Sequence, residues 1–307
     1  MKKIYNSIAE MVGKTPLLRL NNLMKKYHVG AEILAKCEFY NPLFSVKDRA
    51  ALNMVEVLER QGKVSSDTIF VEATSGNTGI ALAAICAQRG YKLVITMPEN
   101  MSRERILLMR HLGAEVILTP KEDGMKGALA KADLLREKNP NVIIFDQFCN
   151  DANVDAHRFG TSVEILEDTG GEVDVLVAGV GTSGTLTGIA STLKTSNPDL
   201  YVVAVEPKDS AVLNGHQSGL HDISGIGAGF VPPLYNKSLV DEVFDVTNEQ
   251  ALNTTKETAQ IEGLPVGISA GAAIYAAIQI AKRSEFAGKQ IVVILPDAIE
   301  RYLSKLG

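Results

Sequence analysis

The sequence predicts an α/β protein built on parallel or mostly parallel sheets with helices on both faces. Apolar, β-branched runs alternate with longer stretches of helical periodicity along the 307 residues. The strand runs are continuously apolar, as expected where both sheet faces are covered. Gly62, Gly90, Gly113 and Gly263 fall just past four of the helical stretches, where a left-handed C-terminal residue belongs.

In chain order the predicted strands are 33–37, 69–72, 93–97, 116–118, 142–145, 173–178, 202–206 and 291–295. The predicted helices are 45–61, 77–89, 102–111, 125–138, 154–167, 184–194, 248–262 and 269–282. Ser45 and Asp48 have the spacing of a capping box, which makes Ser45 the expected N-cap of the first helix. Breaks are expected at 118–120 and 147–153. Residues 214–235 are rich in Gly and Pro with little periodicity, which suits a functional loop.

Composition narrows the class. Hydrophobic residues make up 46% and charged residues 22%, ordinary for a soluble globular chain. A net charge of −5 gives no basic excess, so nucleic acid is not an expected partner. No apolar run reaches the ~20 residues needed to span a bilayer. The N-terminal segment lacks the apolar core of a secretory signal, so no membrane association and a cytoplasmic location are expected. Cys37, Cys86 and Cys149 show no paired spacing, and the five histidines form no ligand pattern, so no metal is expected. Cys149 and His157 read more simply as core or surface residues than as site residues.

Lys47 would sit in the first turn of the 45–61 helix, beside free N–H groups and the positive end of the helix dipole. A cation is disfavoured there, and a neutral amine can serve as a nucleophile or form a Schiff base. A solvated surface lysine is the plain alternative.

Three loops add chemistry. Thr74-Ser75-Gly76-Asn77-Thr78-Gly79 follows a strand and opens a helix, a setting that suits a carboxylate or phosphate. A merely well-capped helix is the alternative. Gly179-Val180-Gly181-Thr182-Ser183-Gly184-Thr185 matches G-x-G-x-x-G, and Glu206 ends the next strand. That is a dinucleotide fingerprint, so a dinucleotide-dependent oxidoreductase stays open. The added hydroxyls and the mid-chain position favour a cup for a single phosphate monoester. In Val266-Gly267-Ile268-Ser269-Ala270-Gly271-Ala272, Ser269 would cap a helix of small residues able to approach a flat group or another backbone. A Schiff-base lysine combined with a phosphate cup points to pyridoxal 5′-phosphate (PLP).

With these motifs in this order, the chain resembles the cysteine synthase (O-acetylserine sulfhydrylase) and cystathionine β-synthase family of fold-type II PLP enzymes. The resemblance also takes in Gly13-Lys14-Thr15-Pro16-Leu17, Asn41-Pro42, Gln147, Gly225-Ile226-Gly227 and Glu300-Arg301-Tyr302. It implies the two-domain fold of the tryptophan synthase β-subunit, each domain a mostly parallel sheet flanked by helices. The implied domains are 41–150, with a mobile part at about 93–137, and 1–40 plus 151–307. It further implies that Lys47 carries the cofactor and Asn77 bonds its phenolic oxygen. Gly181, Thr182, Ser183, Gly184 and Thr185 would hold the phosphate, and Ser269 would face the pyridine nitrogen. Thr74, Ser75, Gly76, Thr78, Gln147 and Gly225 would receive the substrate.

The implied reaction is β-replacement of O-acetyl-L-serine by sulfide through an α-aminoacrylate, giving L-cysteine and acetate. The rival uses L-cysteine as donor, releasing hydrogen sulfide and forming lanthionine, cystathionine or serine. Asp222 is a candidate base for the incoming nucleophile, with a turn-forming surface aspartate as its alternative. A homodimer and the C-terminus of serine acetyltransferase are the implied protein partners. Ser183 stands where glycine is frequent in the family, which reads as conservative, and Ala270 stands where a second serine is common.

Overall fold

The computed structural model describes residues 4–303. In chain order its elements are β1 (Leu17–Arg19), α1 (Asn21–Tyr27), β2 (Glu32–Cys37), α2 (Lys47–Arg60), β3 (Ile69–Ala73), α3 (Asn77–Arg89), β4 (Lys92–Pro98), α4 (Arg103–His111), β5 (Glu115–Thr119), α5 (Gly124–Lys138) and β6 (Val142–Ile144). They continue with α6 (Asp151–Ala156), α7 (Ser162–Thr169), β7 (Val175–Gly179), α8 (Gly184–Ser196), β8 (Tyr201–Pro207), β9 (Glu242–Val246), α9 (Asn248–Glu262), α10 (Ile268–Ala281) and β10 (Gln290–Leu295). The chain divides into two compact units, Met1–Val12 with Lys47–Asn153, and Gly13–Val46 with Val154–Gly307. The division expected from the sequence differs in where residues 4–12, 41–46 and 151–153 fall.

The first unit holds a four-stranded sheet in the order β5-β4-β3-β6, all parallel. Phe70 and Val71 of the central β3 are fully buried, as are Ile95 and Met97 of β4, which accounts for their uninterrupted apolar sequence. Gly62, Gly90 and Gly113 all have positive φ after their helices, the conformation a C-terminal glycine supplies.

The second unit holds a six-stranded sheet in the order β1-β2-β10-β7-β8-β9. Only β1 runs antiparallel. Both edge strands, β1 and β9, escaped the sequence reading. β1 has three residues, and β9 (Glu-Val-Phe-Asp-Val) is interrupted by two acidic residues instead of running apolar. The short α1, which no side chain caps, was missed as well. The helix expected at 154–167 is α6 and α7 joined by a wide π-type turn at His157–Thr161.

The helix of small residues, α10, is buried nearly all round. Its isoleucines, Ile268, Ile274, Ile278 and Ile280, contribute roughly 1.5–3 kcal/mol each by leaving water. Its small residues serve close helix approach: a Cβ on Gly271 would stand 2.5 Å from the Ala251 carbonyl oxygen of α9. Buried charge anchors the Gly13-Lys14-Thr15-Pro16 turn of this unit. The Lys36 ammonium, fully buried, donates to Thr15 O at 2.6 Å and pairs with Glu164 at 2.9 Å. Glu164 in turn accepts the Lys14 and Thr15 N–H groups.

Candidate active site

Lys47 is the first residue of α2, and it is half-buried. Ser45 stands two residues before the helix, its main chain bridged to Asp297. Lys47 remains in the first helical turn, where the dipole argument places it.

In the same unit, the 74–79 loop closes around the start of α3. Its N-cap is Gly76, which has no side chain to offer as a cap. Gly76 N–H donates to Thr74 Oγ1 at 3.2 Å, and a Cβ at Gly76 would meet nothing within 4 Å. Gly79, by contrast, has its Cβ position 2.6 Å from Met109 Sδ, which fixes how closely α3 lies against α4. The Thr78 hydroxyl donates to Gln147 Oε1 at 2.7 Å, so Thr78 and Gln147 are brought together across the sheet edge.

Beneath this loop lies Glu72, a residue the sequence reading passed over. Burial pushes its carboxyl up to about 8, with the Asp146 charge adding to the rise and main-chain N–H groups opposing it. The folded protein keeps a proton that the unfolded chain releases near the ordinary value of 4.5. Stability from this group is therefore full below about 4.5, declines as pH rises, and is lost above about 8. Urea unfolding across this range is expected to show that decline, and Glu72→Gln to flatten it.

In the second unit, the 179–185 loop forms a cup at the start of α8. Ser183 is the N-cap residue and contributes no side-chain cap. Gly184 N–H donates to Thr182 Oγ1 at 3.3 Å. Gly181 has no room for a side chain: a Cβ there would stand 2.5 Å from the Gly225 carbonyl oxygen. Gly227 N–H donates to Val180 O at 2.9 Å, so the 225–227 segment is stitched onto the cup by main chain. Ser183 has φ of 69°, a left-handed conformation that glycine adopts freely and serine at a cost of about 1–2 kcal/mol. The substitution that reads as conservative in sequence is therefore a strained one. The Ser183 hydroxyl lies 3.2 Å from Thr187 Oγ1.

Ser269 is buried and is the second residue of α10, whose N-cap is Gly267; the sequence expectation of a capping serine is corrected on this point. A Cβ on Gly225, at φ 98°, would lie 3.6 Å from Ser269 Oγ, so the loop backbone faces that hydroxyl. In summary of distances, the second unit gathers the cup, Gly225 and Ser269 around one another, while the first unit gathers Thr74, Gly76, Thr78 and Gln147.

Known proteins decide the class. Residues 8–297 match the family described as "Pyridoxal-phosphate dependent enzyme". Cysteine synthase B of Campylobacter jejuni is 46% identical over 302 residues, 98% of each chain. A crystal structure of cysteine synthase from Entamoeba histolytica superposes with a TM-score of 0.96 at 43% identity, covering 99% of this chain and 90% of that one. A hydrogen sulfide-producing enzyme from Fusobacterium nucleatum gives 0.94 at 41%, covering 99% of both. The chain belongs to the pyridoxal-phosphate-dependent enzymes.

Its cofactor is PLP, and the residues present suit that group. The cup carries no acidic side chain, its N-cap Ser183 makes no side-chain cap, and Gly181 lets the backbone come close. The dinucleotide reading of the G-x-G-x-x-G loop falls with the family assignment. Glu206, the acid that reading would have placed on a ribose, instead accepts the N–H groups of Leu213 and Asn214 at 2.9 and 3.0 Å.

Other residues of the PLP enzyme support the site from behind. His157, read from sequence as a core or surface residue, is buried in the π-type turn. Its ring nitrogens lie 2.8 Å from Thr161 Oγ1 and 3.2 Å from Thr185 Oγ1, which orients a cup hydroxyl. Residues 296–302 form a clasp. Val46 N–H donates to Pro296 O, Gly267 N–H donates to Asp297 O, and Ile299 N–H donates to Pro265 O. Arg301 donates to Leu43 O, and the Tyr302 hydroxyl to Asp297. The clasp ties the segment entering Lys47 to the segment entering Ser269, which gives the Glu300-Arg301-Tyr302 motif a physical purpose.

Asp222 is exposed, with its N–H donating to Asn248 Oδ1 at 2.9 Å and its carbonyl accepting from Ser224 N–H, a turn arrangement. Burial pushes the Cys37 and Cys86 thiols up to about 12, so neither is a thiolate nucleophile. Among the described residues no group of three or more His, Cys, Asp or Glu could hold a metal ion, and no helix is long and apolar enough to cross a membrane.

Proposed function

We propose that this PLP enzyme makes L-cysteine by β-replacement, exchanging the acetate of O-acetyl-L-serine for sulfide. The observation that carries the reading is a pair of helix starts whose N-cap residues, Gly76 and Ser183, lend no side-chain cap. One, at Gly76, is lined with hydroxyls for a carboxylate; the other, at Ser183, is shaped for a phosphate. The full-length likeness to cysteine synthases supports the substrate assignment.

Bound PLP supplies an aldehyde that takes up amines and a ring that accepts electron density. Lys47 would hold the cofactor through its amine, Gly181, Thr182, Ser183, Gly184 and Thr185 would hold the phosphate, and Asn77 would bind at the ring hydroxyl. Thr74, Ser75, Gly76, Thr78 and Gln147 would receive the α-carboxylate, and Gly225 is assigned to the substrate as well. The freed Lys47 amine takes the proton from Cα, and acetate departs from Cβ with its bonding pair. Sulfide then bonds to Cβ, and Lys47 returns the proton to Cα as L-cysteine leaves.

A serine hydroxyl opposite the pyridine nitrogen does not hold it protonated as a carboxylate would, which favours rapid elimination over transamination. Ser269→Asp is expected to lower kcat for cysteine formation and raise the share of transamination. An unchanged rate and partition, measured by product analysis, would contradict this role. For Asp222, the proposed base for the incoming nucleophile, Asp222→Asn is expected to slow only the sulfide half-reaction in stopped-flow. Equal slowing of both halves would return Asp222 to its turn.

A second reading, with L-cysteine as donor and hydrogen sulfide as product, is supported by Ala270 and by the likeness to the sulfide-producing enzyme of Fusobacterium. A homodimer working in the cytoplasm, with the C-terminus of serine acetyltransferase as a partner, completes the proposal. Assaying O-acetylserine, O-phosphoserine, serine and cysteine, each with and without sulfide, tests the substrate.

A further inference from the structure

Glu72 ends two residues before Thr74, on the central strand of its sheet, and is 3% exposed. Among the described residues no basic side chain pairs with it. Its two carboxyl oxygens accept main-chain N–H groups, from Asp146 at 3.0 Å and from Gln147 at 3.5 Å. Burying a carboxyl costs desolvation even when it keeps its proton, so a role confined to filling core space would be better served by an apolar side chain.

The main chain that Glu72 holds is itself unusual. Asp146 has φ of 51°, a left-handed conformation disfavoured for a residue with a side chain. Around it, Asn150 Nδ2 donates to Phe145 O at 2.7 Å and Asn153 Nδ2 donates to Gln147 O at 2.9 Å. These bonds fix the two sides of the turn, and Glu72 fixes its centre. The turn delivers Gln147 to Thr78, whose hydroxyl fills Gln147 Oε1. The Gln147 amide also donates to the Glu72 carboxyl itself, and the second hydrogen of its NH2 group is a donor suited to an anionic oxygen.

We propose that Glu72 is the positioning residue of the substrate-carboxylate loop: it pins the left-handed Asp146 turn and thereby aims the Gln147 amide. This rests on reading Thr78 and Gln147 as receivers of the substrate carboxylate. The second unit uses a comparable device, with buried Glu206 holding the N–H groups of Leu213 and Asn214 at the head of the long loop.

The test uses the PLP-loaded enzyme and its Glu72→Gln variant, which keeps the size but turns an NH2 toward one of the two N–H donors. Spectral titration with L-alanine, an amino acid with no leaving group, reads carboxylate binding apart from turnover. The variant is expected to weaken L-alanine binding and raise KM for O-acetylserine by about tenfold. Its kcat is expected within about twofold of the parent, with PLP affinity and the cofactor band unchanged. Should the glutamine variant fail to fold, Glu72→Asp, whose shorter arm withdraws from Asp146, is read in the same way. Unchanged L-alanine binding in a variant that is merely less stable would overturn the proposal. Gln147→Ala is measured in parallel: if it too binds L-alanine normally, the carboxylate-loop reading itself has failed; if it weakens binding while Glu72→Gln does not, only the positioning role is lost.

Discussion

Lys47→Ala is expected to remove the visible absorption of the lysine-linked cofactor and to slow cysteine formation by roughly 10³-fold or more. One amine is asked to hold the cofactor, take the Cα proton and return it, so no other side chain can substitute for part of the task. The position makes this feasible: Lys47 opens α2, at the positive end of its dipole and only half exposed. Added methylamine is expected to restore part of the rate, since a free amine can take over the lost exchange. A variant that keeps its visible band with no added amine would show that Lys47 is not the cofactor's lysine.

Gly181→Ala is expected to be nearly as severe through a different cause. The new Cβ would stand 2.5 Å from the carbonyl oxygen of Gly225, and a backbone atom cannot swing aside as a side chain can. Because Gly227 is hydrogen-bonded to Val180, relief of the clash would drag the 225–227 segment off the cup. The expected cost is about 1–3 kcal/mol of stability, with PLP affinity reduced by about 100-fold as the cup spreads. Gly76→Ala is the fitting comparison, since open space lies where its Cβ would go. Thermal denaturation and PLP titration of both variants measure the contrast. Equal effects at the two glycines would mean that close packing at Gly181 is not what shapes the cup.

Much of the sheet order could be read from sequence because buried parallel strands announce themselves as apolar runs. β3, β4, β7, β8 and β10 all lie inside such runs. β1 and β9 did not, since an edge strand has one open side and tolerates charge there. The phosphate cup was legible through glycines and hydroxyls crowded at one helix start. The strain at Ser183 was not, because its left-handed φ follows from how the loop closes and not from residue type.

Glu72, Glu206 and the 296–302 clasp belong to a third category. Glu72 and the clasp act on main-chain groups distant in sequence, such as Glu72 on Asp146 and Asp297 on Gly267, and Glu206 on those of Leu213 and Asn214 in the loop that follows it. A single sequence carries no pattern for a carboxylate that bonds to backbone amides some seventy residues away. Ser269 shows the reverse error: local capping rules assigned it a role that Gly267 fills, and its hydroxyl is left beside Gly225 instead.

The most direct test is to supply the PLP-loaded enzyme with O-acetyl-L-serine and sulfide and to measure L-cysteine and acetate together. Equimolar formation of the two, abolished in Lys47→Ala and faster than sulfide release from L-cysteine alone, is the expected result. Sulfide release from L-cysteine that outpaces cysteine formation, or acetate release without cysteine, would contradict the assignment.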